Sequence, residues 1–469
     1  MKMSMGTLKT AYELGSSRII ASKYKPVVKK DDNVLSEEEI NTYLSKKKVA
    51  MPDFVKDVNH PLGYREEKQS EGDVTVQDPE SIRYSDEMIE VHLNGNVMDY
   101  GGYGKMNRNI AFGLSNRNVR VKLDIEDYLV HVNKSTQKVL KNMANNFVPP
   151  TSPKIYGVTV PLTLSHKGMK IIFTMMETSE GIHPDYVGKL NLCDEIWVPT
   201  HYGKKMFENS NVHPPVRVIP LGVNVDRYKP GVEPFDFGIG LKDFRFISVF
   251  RWSYRKGYDI LLKAYLEEFS SKDDVSLLLV SRPADCPEHQ GVDRIQEDFK
   301  AIRECISKKD HELPHVALYN KPIPEYKMPA IYNASHAFAL ISRGEGFGLP
   351  YVEAAASGLP IIGSNCSGHS DFLNNDNSYL VEPEGFDIAE VTGNMHKMAK
   401  ACRFYEGQPF PIFGALSIAQ TQAHMRSVYE NYSEAQEKIQ ILRADLVNNY
   451  TWDMMVERIY QRLLEIHSK

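Results

Sequence analysis

What most limits the fold of this chain is a pattern that occurs twice: short apolar strands alternating with helical stretches. The first run holds MIEVHLNG, VRVKLDI, IYGVTVPLT, KIIFTMME, DEIWVPT and VRVIPLG, beginning at residue 88. The second holds FRFISVFRW, VSLLLVS, VALYN, AFALIS and LPIIGSN, beginning near residue 244. Alternation of this kind reads as an α/β chain, each run a doubly wound parallel sheet with helices on both faces. Between the runs, DRYKPGVEPFDFGIGLKD (226–243) carries two prolines and three glycines, the composition of a hinge between two domains. The tail adds a helical stripe at Trp452, Met455, Val456, Ile459, Tyr460, Leu463 and Leu464, which needs a surface to pack on. Ahead of the first run, residues 1–84 read as a charge-rich extension with one capped helical stretch, SEEEINTYLSKKK, and no chemistry is assigned to it.

With 469 residues, 42% of them hydrophobic, the chain has material for more than one core. Its formal charge of −5, from 56 basic and 61 acidic residues, supplies no global field for nucleic acid or an anionic bilayer. The KKK at 46–48 reads as a solvated face. Five cysteines without a CxxC pair argue against a disulfide framework and a zinc site. A reducing, cytoplasmic location is expected, with peripheral membrane attachment left open. No apolar h-region opens the chain, and no run of about 18 apolar residues suggests a membrane span.

The densest chemistry lies in SRGEGFGLPYVEAAASG, 342–358. AFALIS reads as a buried strand, and parallel strands deliver ligand-binding groups just past their C-terminal ends, where Glu345 stands. Gly346 and Gly348 let backbone N–H groups approach a ligand, Pro350 suits a first helical turn, and Gly358 closes the helix. Glu353 falls about one turn into that helix. A helix start with exposed amides suits an anion such as a phosphate, and carboxylates on either side suit hydroxyls. A sugar nucleotide presents those groups in that order. On spacing alone, the two acids also fit the charge preference of a helix start.

EGFGLPYVE, with the SR before it, resembles the E-x7-E signature of retaining nucleotide-sugar glycosyltransferases of the GT-B fold, family 4, also called group 1 glycosyl transferases. The resemblance extends over roughly residues 88–466. It implies two Rossmann-like domains facing across a cleft: 85–230 for the acceptor, 231–448 for the donor, and a terminal helix, 449–469, crossing back onto the first. It implies that Glu345 contacts the donor sugar, that Gly346, Phe347, Gly348 and Leu349 lie against sugar and diphosphate, and that Glu353 binds the ribose. In VFRWSYRKGYDILL the family's basic pair maps to Arg251 and Lys256, cations suited to a diphosphate leaving group. The backbone near Ile323, in NKPIPEYKMPAIY, would meet the base, and Arg282 could reach the same region.

In the first domain, VMDYGGYGKMNRN is a glycine turn opening a helix, and the resemblance makes Gly102 and Gly104 face the donor phosphates with Lys105 nearby. Glu177, at a strand end, would face the cleft, and His183 stands where a sugar-contacting histidine is needed, without the usual pattern around it. The implied activity is a retaining hexosyl or pentosyl transfer by front-face displacement, with a nucleotide sugar as co-substrate and no metal or other cofactor. The acceptor stays open among glycans, lipid-linked sugars, proteins, small molecules and modified nucleobases. Two alternatives remain: a nucleotide-binding oxidoreductase resting on the glycine turn with Asp124 as its ribose acid, or a catalytically silent subunit of the same fold.

Overall fold

The computed structural model describes residues 55–57, 88–125, 132–159, 164–179, 181–283, 288–388 and 408–468. The helical stretch expected at 36–48 and two of the cysteines, Cys286 and Cys402, lie outside these residues. The strands are β1 (Val55–Asp57), β2 (Ile89–Gly95), β3 (Val119–Ile125), β4 (Lys154–Tyr156), β5 (Lys170–Phe173), β6 (Glu195–Val198) and β7 (Val216–Val218), then β8 (Phe244–Trp252), β9 (Val275–Pro283), β10 (His315–Tyr319), β11 (Ala337–Leu340), β12 (Ile361–Ser364), β13 (Tyr379–Val381), β14 (Gly385–Ile388) and β15 (Pro409–Ile412). The main helices are α1 (Gly102–Ser115), α2 (Lys134–Ala144), α3 (Pro184–Leu190), α4 (His201–Glu208), α5 (Tyr258–Glu268), α6 (Glu288–Glu304), α7 (Met328–Asn333), α8 (Leu349–Ala356), α9 (Ala415–Glu430), α10 (Tyr432–Asn449) and α11 (Trp452–His467).

Two all-parallel sheets result, ordered β3-β2-β4-β5-β6-β7 and β1-β10-β9-β8-β11-β12-β13, so the chain is α/β with two Rossmann-like units. Helices cover both faces of such sheets, which is why strands such as AFAL are apolar at every position and buried throughout. The strand at Val55–Asp57 lies within the stretch read as an extension: it pairs with β10 and lengthens the second sheet, although the chain then enters the first. Three residues, VKD, carry no periodicity that could announce it. β14 and β15 form a separate antiparallel pair between the last strand of the second sheet and α9.

From β2 onward, the described chain crosses between the units twice. The linker leaves β7 through Ile219–Val223, and α11 returns to the first unit. The crossings meet at a bridge between Val223 and Thr451, and a Cβ at Gly222 would strike the Thr451 backbone, so the approach demands glycine there. Thr451 caps α11 by accepting a hydrogen bond from Met454 N. The helix then buries Trp452, Met455, Val456, Ile459 and Leu463, four of them essentially inaccessible to solvent. Arg117 of α1 pairs with Asp453 at 2.6 Å and Glu457 at 3.0 Å, and Arg462 meets the buried Glu195 at 2.5 Å. The apolar stripe of the tail thus finds its surface on the first unit. Among the described residues, no helix is long and apolar enough to cross a membrane.

Candidate active site

β11 ends at Leu340, and the following loop turns into α8 through Gly348, whose φ of +100° is left-handed backbone that glycine adopts without strain. Glu345 in this loop is buried, with Lys256 Nζ 2.5 Å from Oε1 and Arg255 Nη1 3.9 Å from Oε2. Both cations come from the turn Tyr254–Lys256 at the end of β8. That turn closes with Gly257 at φ +63°, packed so tightly on Ile341 O that a Cβ would collide. Arg343 fastens turn to loop. Its guanidinium binds Asp259 with two parallel hydrogen bonds of 2.8 and 2.7 Å and lies 3.8 Å from the centre of the Tyr254 ring. Its own amide donates to Arg255 O at 2.6 Å.

Burial pushes the Glu345 carboxyl up, but the Lys256 and Arg255 charges outweigh it and hold it below the usual carboxylate range. Burial, helped by Arg255, works in the other direction on Lys256 and lowers it against the pull of Glu345. Behind the loop, Glu345 N donates to Ser367 Oγ at 3.0 Å and Gly368 N donates to Glu345 O at 2.9 Å. Ser367 sits at φ 65°, ψ −166°, a strained conformation for a residue with a side chain. His369, fully buried and stacked 4.5 Å from the Tyr351 ring, is pushed down to about 4 by burial, so it is a neutral support under the loop.

Between the two glutamates, the Phe347 ring is buried near Phe372 and Tyr450, which holds its backbone at the start of α8. Among the described residues, the amides of Gly346, Phe347, Gly348 and Leu349 donate to no protein acceptor. They form an anion-ready edge with a carboxylate on each side.

The first unit closes on this edge. Gly102 faces Leu349, with 3.7 Å between an ideal Cβ and Cδ1, while Gly104 packs on Asp99, so its small size serves the turn. Lys105 reaches across to Glu353 Oε1 at 2.6 Å and Glu325 Oε1 at 3.1 Å. Arg108 meets Glu325 Oε2 at 2.8 Å, and the Tyr332 hydroxyl donates to Glu353 Oε2 at 3.0 Å. Glu177 binds Arg255 at 3.0 Å, and its carbonyl crowds Gly344 so that a Cβ there would collide. A Cβ at Gly346 would lie 2.7 Å from the Met175 side chain. Asp371 of the second unit accepts from the amides of His201 and Tyr202 at 2.5 and 3.1 Å, capping α4 of the first.

The structure therefore brings Glu345, Lys256, Glu177, Lys105, Glu353 and the glycine loop to one cleft. Arg251 is exposed at the end of β8, in register with Arg282, and the second cation near Glu345 is Arg255. His183 caps α3, accepting from Asp185 N at 3.3 Å and lying edge-on to Tyr186; these contacts belong to its own helix. Ile323 is half-buried in the loop that leads to Glu325. Asp124, the ribose acid of the oxidoreductase alternative, is paired to Lys154 Nζ at 2.7 Å. Sequence reasoning missed Arg255, Arg343 with Asp259, Ser367, His369, Tyr332 and Glu325. Of these, Arg255 carried a signal, as a second cation next to Lys256.

Residues 242–400 match the family model described as Glycosyl transferases group 1. Over 156 residues the chain is 28% identical to D-inositol 3-phosphate glycosyltransferase of Segniliparus rotundus, covering 33% of this chain and 32% of that protein. Over 229 residues it is 25% identical to the GtfA subunit of a UDP-N-acetylglucosamine–peptide N-acetylglucosaminyltransferase of Streptococcus pneumoniae serotype 4, covering 48% and 40%. The matches thus span about a third to two fifths of these relatives' lengths. Among solved structures, sucrose-phosphate synthase from Thermosynechococcus elongatus superimposes with a TM-score of 0.57 at 14% identity, covering 81% of this chain and 99% of that one. Anabaena HepE, solved with UDP and glucose, gives 0.54 at 13% identity over 80% and 100%. The fold is GT-B, and the family's sequence match lies in the second domain.

Proposed function

We propose that the chain is a retaining glycosyltransferase of family 4 that moves a sugar from a nucleoside-diphosphate donor to a hydroxyl acceptor. The observation that carries this reading is the α8 edge: four amides without protein acceptors among the described residues, flanked by Glu345 and Glu353 and faced across the cleft by the first-domain glycine turn. In this reading Glu345 accepts hydrogen bonds from donor sugar hydroxyls, Glu353 from the ribose, and the amides hold the diphosphate, with Ile323 backbone near the base. Gly102 borders the phosphates from the other side; Gly104 shapes that turn. Lys256, with Arg251 swung inward from its exposed position, stabilises the charge that develops on the leaving diphosphate.

The bond from the anomeric carbon to the phosphate oxygen breaks while the acceptor oxygen bonds to the same face. The acceptor's proton passes to the departing phosphate oxygen. Closure of two domains and fixed positioning supply the remaining catalysis, and the scheme calls for no metal. His183 and Glu177 belong to the first-domain wall that meets the sugar and acceptor. A cytoplasmic site of action suits nucleotide-sugar chemistry.

The test is hydrolysis and binding of a panel of UDP-, GDP- and ADP-sugars, repeated with Glu345→Ala and set beside NADH in a thermal-shift assay. UDP-sugars head the panel because HepE was solved with UDP. Stabilisation and turnover by one nucleotide sugar, abolished by the substitution, are expected. Failure of every nucleotide sugar to bind would sink the reading.

A further inference from the structure

We propose that Lys105 occupies, in the ligand-free protein, the place where the donor's ribose meets Glu353, and that it sets nucleotide affinity by moving onto Glu325 when the donor binds. The proposal rests on Glu353 being the ribose acceptor. Both oxygens of Glu353 are engaged: Oε1 by Lys105 at 2.6 Å and Oε2 by the Tyr332 hydroxyl at 3.0 Å. The two engagements differ in kind. Tyr332 lies in the same domain as Glu353 and travels with it. Lys105 arrives from α1 across the cleft, so its contact covers the side from which a nucleotide would approach.

Lys105 and Glu353 side chains are only 9% and 8% exposed, so the ammonium cannot leave Glu353 for water within the closed cleft. Glu325 gives it another partner. Its Oε1 is already 3.1 Å from Lys105 Nζ, and Arg108 fixes the other oxygen at 2.8 Å. A ribose hydroxyl is neutral and adds no charge to this set of two cations and two carboxylates, so the exchange conserves pairing. The donor hydroxyl takes Oε1 of Glu353, and the ammonium shifts wholly to Glu325. Lys105 is then a residue that opposes ribose entry. A phosphate-binding lysine would have the opposite effect on affinity.

Isothermal titration of Lys105→Met with uridine and UDP separates these signs, with guanosine and GDP used instead should the donor panel select guanine. Uridine has no phosphate, so its binding reports the ribose site without a charge contact to the diphosphate. Lys105→Met should bind uridine roughly tenfold more tightly, the scale of one charge-assisted hydrogen bond removed from the free state. Glu325→Gln, which removes the second partner, should bind it more weakly. Lys105→Gln serves as the second variant should thermal melting show that the methionine protein does not fold. Unchanged or weaker uridine binding in the Lys105 variant overturns the proposal alone, as does an unchanged affinity in Glu325→Gln. Absence of any nucleotide binding by the wild-type protein overturns the donor reading and this proposal with it.

Discussion

The two walls of the cleft are built in different ways. The second-domain wall is held from within: Arg343 ties the Tyr254–Lys256 turn to the Glu345 loop, Ser367 and Gly368 support that loop from behind, and His369 packs beneath it. The first-domain wall contributes Lys105, Arg108 and Glu177, and the ion pairs these form at the cleft have their partners across it. A wall fixed by its own domain keeps its geometry when the cleft opens. One completed by its neighbour does not. Substitutions on the two sides should therefore separate into effects on domain stability and chemistry, and effects on closure.

The largest effect expected on the internally built wall comes from Arg343→Met. It leaves Asp259 buried without its guanidinium and should cost about 3–5 kcal/mol of stability, read by urea denaturation. The double variant with Asp259→Asn should recover much of that loss, because no charge is then stranded. If the double variant is no better than the single one, the bidentate pair is not the tie between turn and loop. Next comes Glu345→Gln, which keeps the shape and removes the charge. Hydrolysis of the nucleotide sugar selected by the panel should fall roughly 10²–10³-fold, the scale of losing one positioned electrostatic contact. A loss confined to KM would move Glu345 from the chemistry to simple donor affinity.

The same contrast explains what could be read from sequence. Both parallel sheets were legible because strands buried on both faces are apolar along nearly their whole length, as in AFAL and LLLV. Glu345 could be singled out because it stands just beyond a strand's C-terminal end, which topology sends to a crevice, whereas Lys256 was placed by the resemblance of VFRWSYRKGYDILL to the family's basic pair. Lys105 was placed only as near the cleft, since its distance to Glu353 is set by how far two domains close, which no local pattern encodes. Arg255 lay next to a residue already singled out, but the choice between neighbouring cations depends on the direction each takes from a single helical turn. Ser367 and His369 act from beneath the loop, through backbone strain and ring stacking that leave no spacing signature.

His369 offers a pH test of the internal wall. Its ordinary value of 6.5 is pushed down to about 4 by burial, so between these values the unfolded chain holds a proton that the folded one refuses. Stability should therefore fall as pH drops from 6.5 towards 4, by on the order of 3 kcal/mol from this group, and then stop changing on its account. Glu345, lowered by its cations, contributes stability that is present above its ordinary value of 4.5 and lost as pH falls below it, so the span from pH 7 to 5 reports the imidazole. Urea denaturation at pH 7, 6 and 5 should give a flatter series for His369→Gln than for the wild type. Parallel series would mean that the imidazole takes up a proton while folded and is not a neutral support.

The smallest effect is expected at the docked wall. Asp371 belongs to the second domain, yet its carboxylate accepts hydrogen bonds from the first two amides of α4, a helix of the first, where it also meets the positive end of the helix dipole. Asp371→Ala removes this additional, cross-domain cap and leaves the N-cap residue Thr200 with its hydrogen bond from Gly203 N, a change of about 1 kcal/mol. Were that cap internal to one domain, the loss would appear in the unfolding of that domain. Here it falls on the contact between domains, so proteolysis of the 226–243 linker should quicken about fivefold while the stability of each domain is little altered. The internal wall predicts a second result from the same protein: Lys256 and Arg255 should still hold Glu345, leaving the catalytic rate at saturating donor close to that of the wild type. A slower rate at saturation, with linker cleavage unchanged, would show that α4 and its cap belong to the chemistry and not to closure.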